Sequence, residues 1–163
     1  VTRSNAAPLT EDQTPCAEQN CRVASALLVD GRGWLLLQER DEHALVSPNQ
    51  WGLVGGHLEE GETWEEALRR ELAEETGLAE EGLELWFDEL VQHSPKISSH
   101  LADRWQIWVK RTDATDADIV LGEGRRIVFV DPERIHSGEL DLAMSARHVL
   151  PLFLDSPTYR AML

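Results

Sequence analysis

From Glu62 to Thr76 the sequence sets Trp64, Ala67, Leu68 and Leu72 at the spacing of one helix face, and Gly77 follows where a left-handed cap ends a helix. With Trp64 at zero, a turn of about 100° per residue puts Leu68 and Leu72 at about 40° and 80° and Ala67 at about 300°. On the same wheel Glu71 falls at about 340°, Glu74 at about 280° and Glu75 at about 20°. Three carboxylates thus interleave with the stripe that should face a core, while Glu65, Glu66 and Arg69 occupy the opposite arc. Burying an ion is costly unless it is paired or ligates a metal, and acids at i, i+3 and i+4 repel one another. Two readings satisfy the pattern. Either the acids bend out to water, or they gather around a divalent cation, which takes several carboxylate oxygens in one place. Arg70, one turn before Glu74, and Glu62, at the helix start where the dipole favours an acid, fit as supports. The Gly55-Gly56 pair allows a close backbone approach, with no Cβ in the way.

The flanking sequence supplies a sheet for this helix. Val23 to Val29 is a short apolar run, Asp30-Gly31-Arg32-Gly33 has turn chemistry, and Trp34 to Gln38 completes a hairpin. Trp51 to Gly56 reads as a short strand entering a Gly-Gly bend. Leu83–Val91, Leu101–Arg111, Ile119–Leu121 and Ile127–Val130 read as further strands, the second with Trp105, Ile107 and Val109 opposite Trp108. The tail from Ser145 reads as helix broken or kinked at Pro151, with Ser156-Pro157 opening a last short helix. Residues 1–21 are expected to form a flexible polar arm and residues 22–163 one layered α/β (α+β) domain with C-terminal helices.

The 163 residues carry 30 Asp and Glu against 15 Lys and Arg, a net charge of -15. That balance argues against a stable nucleic-acid partner and against anionic membranes, both of which are held through basic residues. No apolar run approaches the roughly 20 residues that span a bilayer. The expected compartment is the cytoplasm, with Cys16 and Cys21 as ordinary thiols. Of the 30 acids, 13 lie between Glu59 and Glu89, with only Arg69 and Arg70 among them, so the excess concentrates around the helix.

Gly56, five residues, Glu62, seven residues, Arg70-Glu71-Leu72, one residue, Glu74-Glu75, one residue and Gly77-Leu78 fill every defining position of a Nudix box over 23 residues. The sequence resembles a Nudix hydrolase. The resemblance implies an α/β/α sandwich with a mixed sheet and a loop-helix-loop site. It implies hydrolysis, with Mg²⁺ or Mn²⁺, of a nucleoside diphosphate linked to another group. Glu71, Glu74 and Glu75 match the metal-ligating acids, Gly55 or Gly56 the bend whose carbonyl joins them, and Arg70 and Glu62 the supporting ion pair. The general base is Glu71, Glu75 or Glu123, since many relatives carry an acid in a loop facing the box helix. One position departs: Val54 precedes the Gly-Gly pair where relatives often have Pro.

The box points to the reaction rather than the substrate. Dinucleoside-polyphosphate hydrolases often carry a Tyr beyond the box, and Tyr159 is the single Tyr here. Pro95, 17 residues past Leu78, sits near a Pro of ADP-ribose pyrophosphatases. A small nucleotide is the expected substrate, first of all a nucleoside triphosphate or modified form yielding a monophosphate. An ADP-ribose or nucleotide-sugar pyrophosphatase and a non-catalytic nucleotide-binding module are the alternatives. Arg40 is the candidate phosphate ligand and Trp51 the first candidate for base stacking, with Trp86, Trp105 and Trp108 as further aromatics and His57 and His93 as proton-transfer candidates. The family resemblance leaves a homodimer open.

Overall fold

The structure is a computed structural model and describes residues 20–92 and 102–163. Most of the expected arm, and with it Cys16, lies outside the described residues, as do His93 and Pro95. Cys21 is not the thiol expected, because it is disulfide-bonded.

Among the described residues seven strands form one sheet: β1 (Asn20–Val29), β2 (Leu35–Glu39), β3 (Trp51–Gly52), β4 (Val54–His57), β5 (Glu84–Gln92), β6 (Ala102–Arg111) and β7 (Arg126–Val130). β1 is central and runs parallel to β6 from the Asn20–Ala102 pair to the Val29–Arg111 pair. Its other edge is divided: β4 pairs antiparallel with Val23 to Ala26, and β2 joins at the hairpin through Val29. β2 pairs antiparallel with β3 and β7, and β5 with β6, so the sheet is mixed, as expected.

Alternation along these strands produces the layers. Ala24, Ala26 and Leu28 of β1, Leu36 of β2 and Ile127 and Phe129 of β7 cover one face and pack on Ala67, Leu68 and Leu72 of α1 (Trp64–Thr76). Leu27, Val29, Leu35, Leu37, Trp105, Ile107 and Val109 cover the other and pack on Ala146, Val149, Leu150 and Phe153 of the C-terminal helix Met144–Leu154. A sheet apolar on both faces must be covered on both, and the result is a sandwich. Each fully buried Leu contributes roughly 1.5–3 kcal/mol.

The elements depart from the sequence expectation in several places: β1 begins at Asn20, within the expected arm, and the strand expected over Trp51 to Gly56 is two, β3 and β4. α1 begins at Trp64 rather than Glu62, because Thr63 caps it: its hydroxyl accepts from the Glu66 N–H, and the Glu66 carboxylate accepts from the Thr63 N–H at 2.8 Å. Thr63→Ala is therefore expected to cost about 1 kcal/mol, read as a fall of roughly 2–4 °C in melting temperature. Ile119–Leu121 is not a strand, because its backbone closes the end of α1 instead. Asp131-Pro132 does more than end β7; it opens a short helix, α2 (Pro132–His136), with Asp131 as cap. The helix Met144–Leu154 (α3) runs through Pro151, and Ser156 caps α4 (Pro157–Arg160) as expected. No helix among the described residues is long and apolar enough to cross a membrane.

Candidate functional site

A pocket of about 970 Å³ opens where β4 and β2 part along the edge of β1. Its wall includes Ser25 of β1, Gln38 at the end of β2, Gly55 and Gly56 of β4, and Arg70, Glu71 and Glu75 of α1. Arg40, Glu123 and the 41–47 segment close one side, and Val23, Leu53, Trp105, Ile107 and Met144 form an apolar part. Acids and apolar surface thus meet in one cavity, the mixed lining usual for small-molecule sites.

The helix acids sit at three depths. Glu75 is 5% exposed. Its Oε2 accepts from the Gly55 N–H at 2.9 Å, which ties α1 to β4. Glu71 is partly buried, and one of its oxygens accepts from Arg70 Nη1 at 2.7 Å. Glu74, at the margin of the apolar stripe, is exposed and does not line the pocket, although Arg70 Nη1 approaches it at 3.5 Å. The expectation that all three lie on the core side is thus corrected for Glu74, whose side chain in the last turn of α1 is 63% exposed. Arg70 also donates to Glu62 and, at 3.1 Å, to the His57 carbonyl, so one guanidinium ties α1 to the segment that precedes it. Burial pulls Arg70 down, but Glu71 and Glu62 outweigh it and hold the guanidinium above its ordinary value.

Burial and repulsion leave the acids short of positive charge. Glu75 is pushed up to about 8, chiefly by burial and further by Glu71 and Glu123, against the Gly55 N–H and Arg40. Glu71 is raised for the same first reason, with Glu74 and Glu123 adding and Arg70 opposing. Among the described residues no three acidic, His or Cys side chains are gathered as a metal-holding group. The donors present nevertheless suit a hard divalent cation in kind: Glu71 and Glu75 bring carboxylate oxygens to one pocket wall, and their mutual repulsion is what a cation relieves.

Glycines set the close approaches. Gly55 has φ of 140°, and a Cβ there would lie 2.2 Å from the Ala24 carbonyl oxygen. A Cβ on Gly56 would lie 2.7 Å from the Glu71 carboxyl. Both residues stay paired with β1, so the expected bend is a distortion inside β4. A Cβ on Gly122 would lie 1.8 Å from the Glu74 carbonyl oxygen. This last contact explains how Glu123 reaches the site. The Val120 and Gly122 N–H groups donate to the Thr76 and Glu75 carbonyls at 2.9 Å each, satisfying groups that the end of a helix leaves open. The loop that caps α1 thereby delivers the next residue, Glu123, to the pocket. Gln38 Nε2 donates to the Glu123 carbonyl at 3.1 Å and the Arg125 N–H to the Glu39 carbonyl at 2.8 Å, fixing the loop from the β2 side.

Arg40 also lies in the wall. Its Nη1 donates to the Val46 carbonyl at 2.7 Å, and its buried Nε has no hydrogen-bond partner among the described residues. Burial lowers it from its ordinary value, and Glu75 and Glu123 oppose that shift. Trp51 is not brought to the pocket: it is 5% exposed within the core, with the Arg126 guanidinium 5.0 Å over its ring. The indole expected to stack on a base belongs to packing, and Trp105 lines the cavity instead. His57 is exposed beside Gly56. Sequence reasoning missed the roles of Gly122, Gln38 and Arg125, and only the Gly at 122 carried a local signal.

The sequence model of the NUDIX domain family matches residues 19–153. Over 50 residues the chain is 48% identical to the nucleoside triphosphatase NudI of Enterobacter sp. (strain 638), a stretch covering 31% of this chain and 36% of that protein. The match thus spans little more than a third of that relative's length. Among solved structures, the MutT protein from Methanosarcina mazei superposes with a TM-score of 0.66 at 21% identity, over 85% of this chain and 95% of that one. The NUDIX domain of Shewanella oneidensis NrtR, solved with ADP ribose, superposes with a TM-score of 0.67 at 16% identity, over 90% of each chain. At these identities the likeness is one of fold.

Proposed function

Because this chain belongs to the NUDIX domain family, we propose that it is a divalent-metal-dependent hydrolase of the pyrophosphate bond in a nucleoside diphosphate derivative. Its substrate is a nucleoside triphosphate, canonical or modified, and its product a nucleoside monophosphate. The observation that carries this reading is the convergence of Glu71, Glu75, Glu123 and Arg40 on one pocket that also has an apolar wall. The 50-residue likeness to a nucleoside triphosphatase supports the substrate class.

Glu71, Glu75 and the Gly56 backbone would hold Mg²⁺ or Mn²⁺, with Glu74 within reach of the same helix end. When bound, such cations neutralise the diphosphate and lower the pKa of the attacking water. Arg70 keeps Glu71 directed at the pocket, with Glu62 steadying Arg70 from the other side. The Gly55 N–H holds one Glu75 oxygen. Glu71, Glu75 and Glu123, which all line the pocket, are the candidates to take a proton from water. Arg40, in the pocket wall, would bind a phosphate or sugar oxygen, for which a guanidinium is well suited.

A substrate panel with Mg²⁺ and with Mn²⁺ tests this reading: canonical and oxidised nucleoside triphosphates, ADP-ribose, nucleotide sugars and dinucleoside polyphosphates. The expected result is monophosphate and pyrophosphate from one or more triphosphates, abolished by EDTA. Turnover of ADP-ribose or a nucleotide sugar alone would replace the triphosphate with that class. Binding without turnover of any compound would make the domain a nucleotide-binding module.

A further inference from the structure

The loop from Asp41 to Gln50 walls one side of the pocket, and from its own side it is held by Arg40 Nη1 on the Val46 carbonyl at 2.7 Å and by the Asn49 N–H on the Asp41 carbonyl at 3.1 Å. Leu45 is fully exposed, and Ser47 and Asn49 have φ of 51° and 59°, a left-handed conformation that non-glycine residues adopt at a cost. From the opposite segment a single side chain, Arg125, joins it to the end of β2. Arg125 Nη1 donates to Glu39 at 3.1 Å, and its Nη2 donates to Glu42 at 3.1 Å and to Asn49 Oδ1 at 2.8 Å. The same residue's N–H donates to the Glu39 carbonyl, two positions after Glu123.

We propose that Arg125 is a positioning residue of the site, a fork that locks the Asp41–Gln50 wall and the Glu123 segment to the end of β2 so that substrate held by the wall meets Glu123 in register. The proposal rests on the hydrolase reading for its kinetic test. An isolated exposed ion pair does little, but here one planar group spans three acceptors on two segments, and Glu39 is shared with Arg126 at 2.5 Å. Arg suits this task and Lys does not, since a single ammonium cannot reach both Glu39 and the Glu42–Asn49 pair along fixed directions.

The experiment is a double-mutant cycle on kcat and KM, with Arg125→Met, Arg125→Lys, Asn49→Ala and Glu123→Gln. A hydrogen bond from a charged group is worth enough to change a rate roughly tenfold. Arg125→Met is expected to lower kcat/KM about tenfold, with both a higher KM and a lower kcat, and Arg125→Lys to recover little of it. Arg125→Met combined with Glu123→Gln is expected to be no slower in kcat than Glu123→Gln alone, and Asn49→Ala to add nothing on Arg125→Met. Fully multiplicative effects, or full recovery by Lys, would overturn the proposal. Amide hydrogen exchange reads the fork without catalysis: Arg125→Met should accelerate exchange over 42–50, with exchange in α1 unchanged. Unchanged exchange over 42–50 would overturn the fork. Absence of turnover in the wild-type chain would count against the hydrolase reading instead.

Discussion

Glu75→Gln is expected to cut turnover by about 10²–10⁴-fold, the range associated with losing a general acid or base, while making the metal-free protein more stable at alkaline pH. The stability effect follows from burial. Glu75 is buried beside Glu71 and Glu123, so its carboxyl is pushed up to about 8, and ionising it inside the fold is unfavourable. An acid whose pKa is raised in the folded state stabilises the fold fully below its unfolded value of 4.5 and loses that contribution as pH rises through about 8. The metal-free wild type should therefore weaken relative to Glu75→Gln as pH rises through that window. Each pKa unit corresponds to about 1.4 kcal/mol, so the gap should reach a few kcal/mol. Gln keeps an oxygen for the Gly55 N–H and cannot ionise. Melting curves in EDTA at about pH 6 and about pH 9 read the difference, and the substrate assay reads the rate. Wild-type turnover in the variant, or a stability gap that does not widen with pH, would remove Glu75 from its assigned role.

Gly55→Ala and Gly56→Ala, adjacent and chemically identical changes, are expected to fail in different ways. At Gly55 the new methyl would meet the Ala24 carbonyl oxygen at 2.2 Å and Ser25 Cα at 2.6 Å, in a backbone of φ 140°. Both obstacles are backbone of the central strand, so the strand pair must separate, and a loss above about 4 kcal/mol or an insoluble protein is expected. At Gly56 the obstacle is the free end of Glu71, at 2.7 to 2.9 Å. A side chain can swing away, so Gly56→Ala should fold with a melting temperature close to wild type. Its cost falls on activity, because the displaced carboxylate is the proposed ligand; a loss of about 10–100-fold is expected, as for disturbed metal-site shells. Urea midpoints beside kcat/KM separate the outcomes. A folded, fully active Gly56→Ala would mean that Glu71 need not lie against that backbone.

Much of the site was legible because its signals are local. The spacing of Glu71 and Glu75 within the apolar stripe of α1, the Gly77 cap and the box positions all lie within a few helical turns, where periodicity maps directly onto direction. Glu74 was misplaced because a helical wheel gives an angle and not the direction that a long side chain takes; it lies exposed in the last turn of α1. Trp51 was misread for a related reason: an aromatic beside a glycine reads alike whether it faces a ligand or a core, and only the packed face decides which.

What the sequence by itself determined is therefore the sandwich and the identity of the helix acids, since both follow from patterns of period two and about 3.6. Tertiary structure alone decided what completes the site. Glu123 arrives because Val120 and Gly122 cap the carbonyls of α1. Arg40 arrives because β2 ends at the split edge of β1, and Arg125 holds the wall because Glu39, Glu42 and Asn49 come within its reach. These hydrogen bonds join residues 44 to 86 positions apart in the chain, and no local periodicity records a distance that only the packed fold brings to about 3 Å.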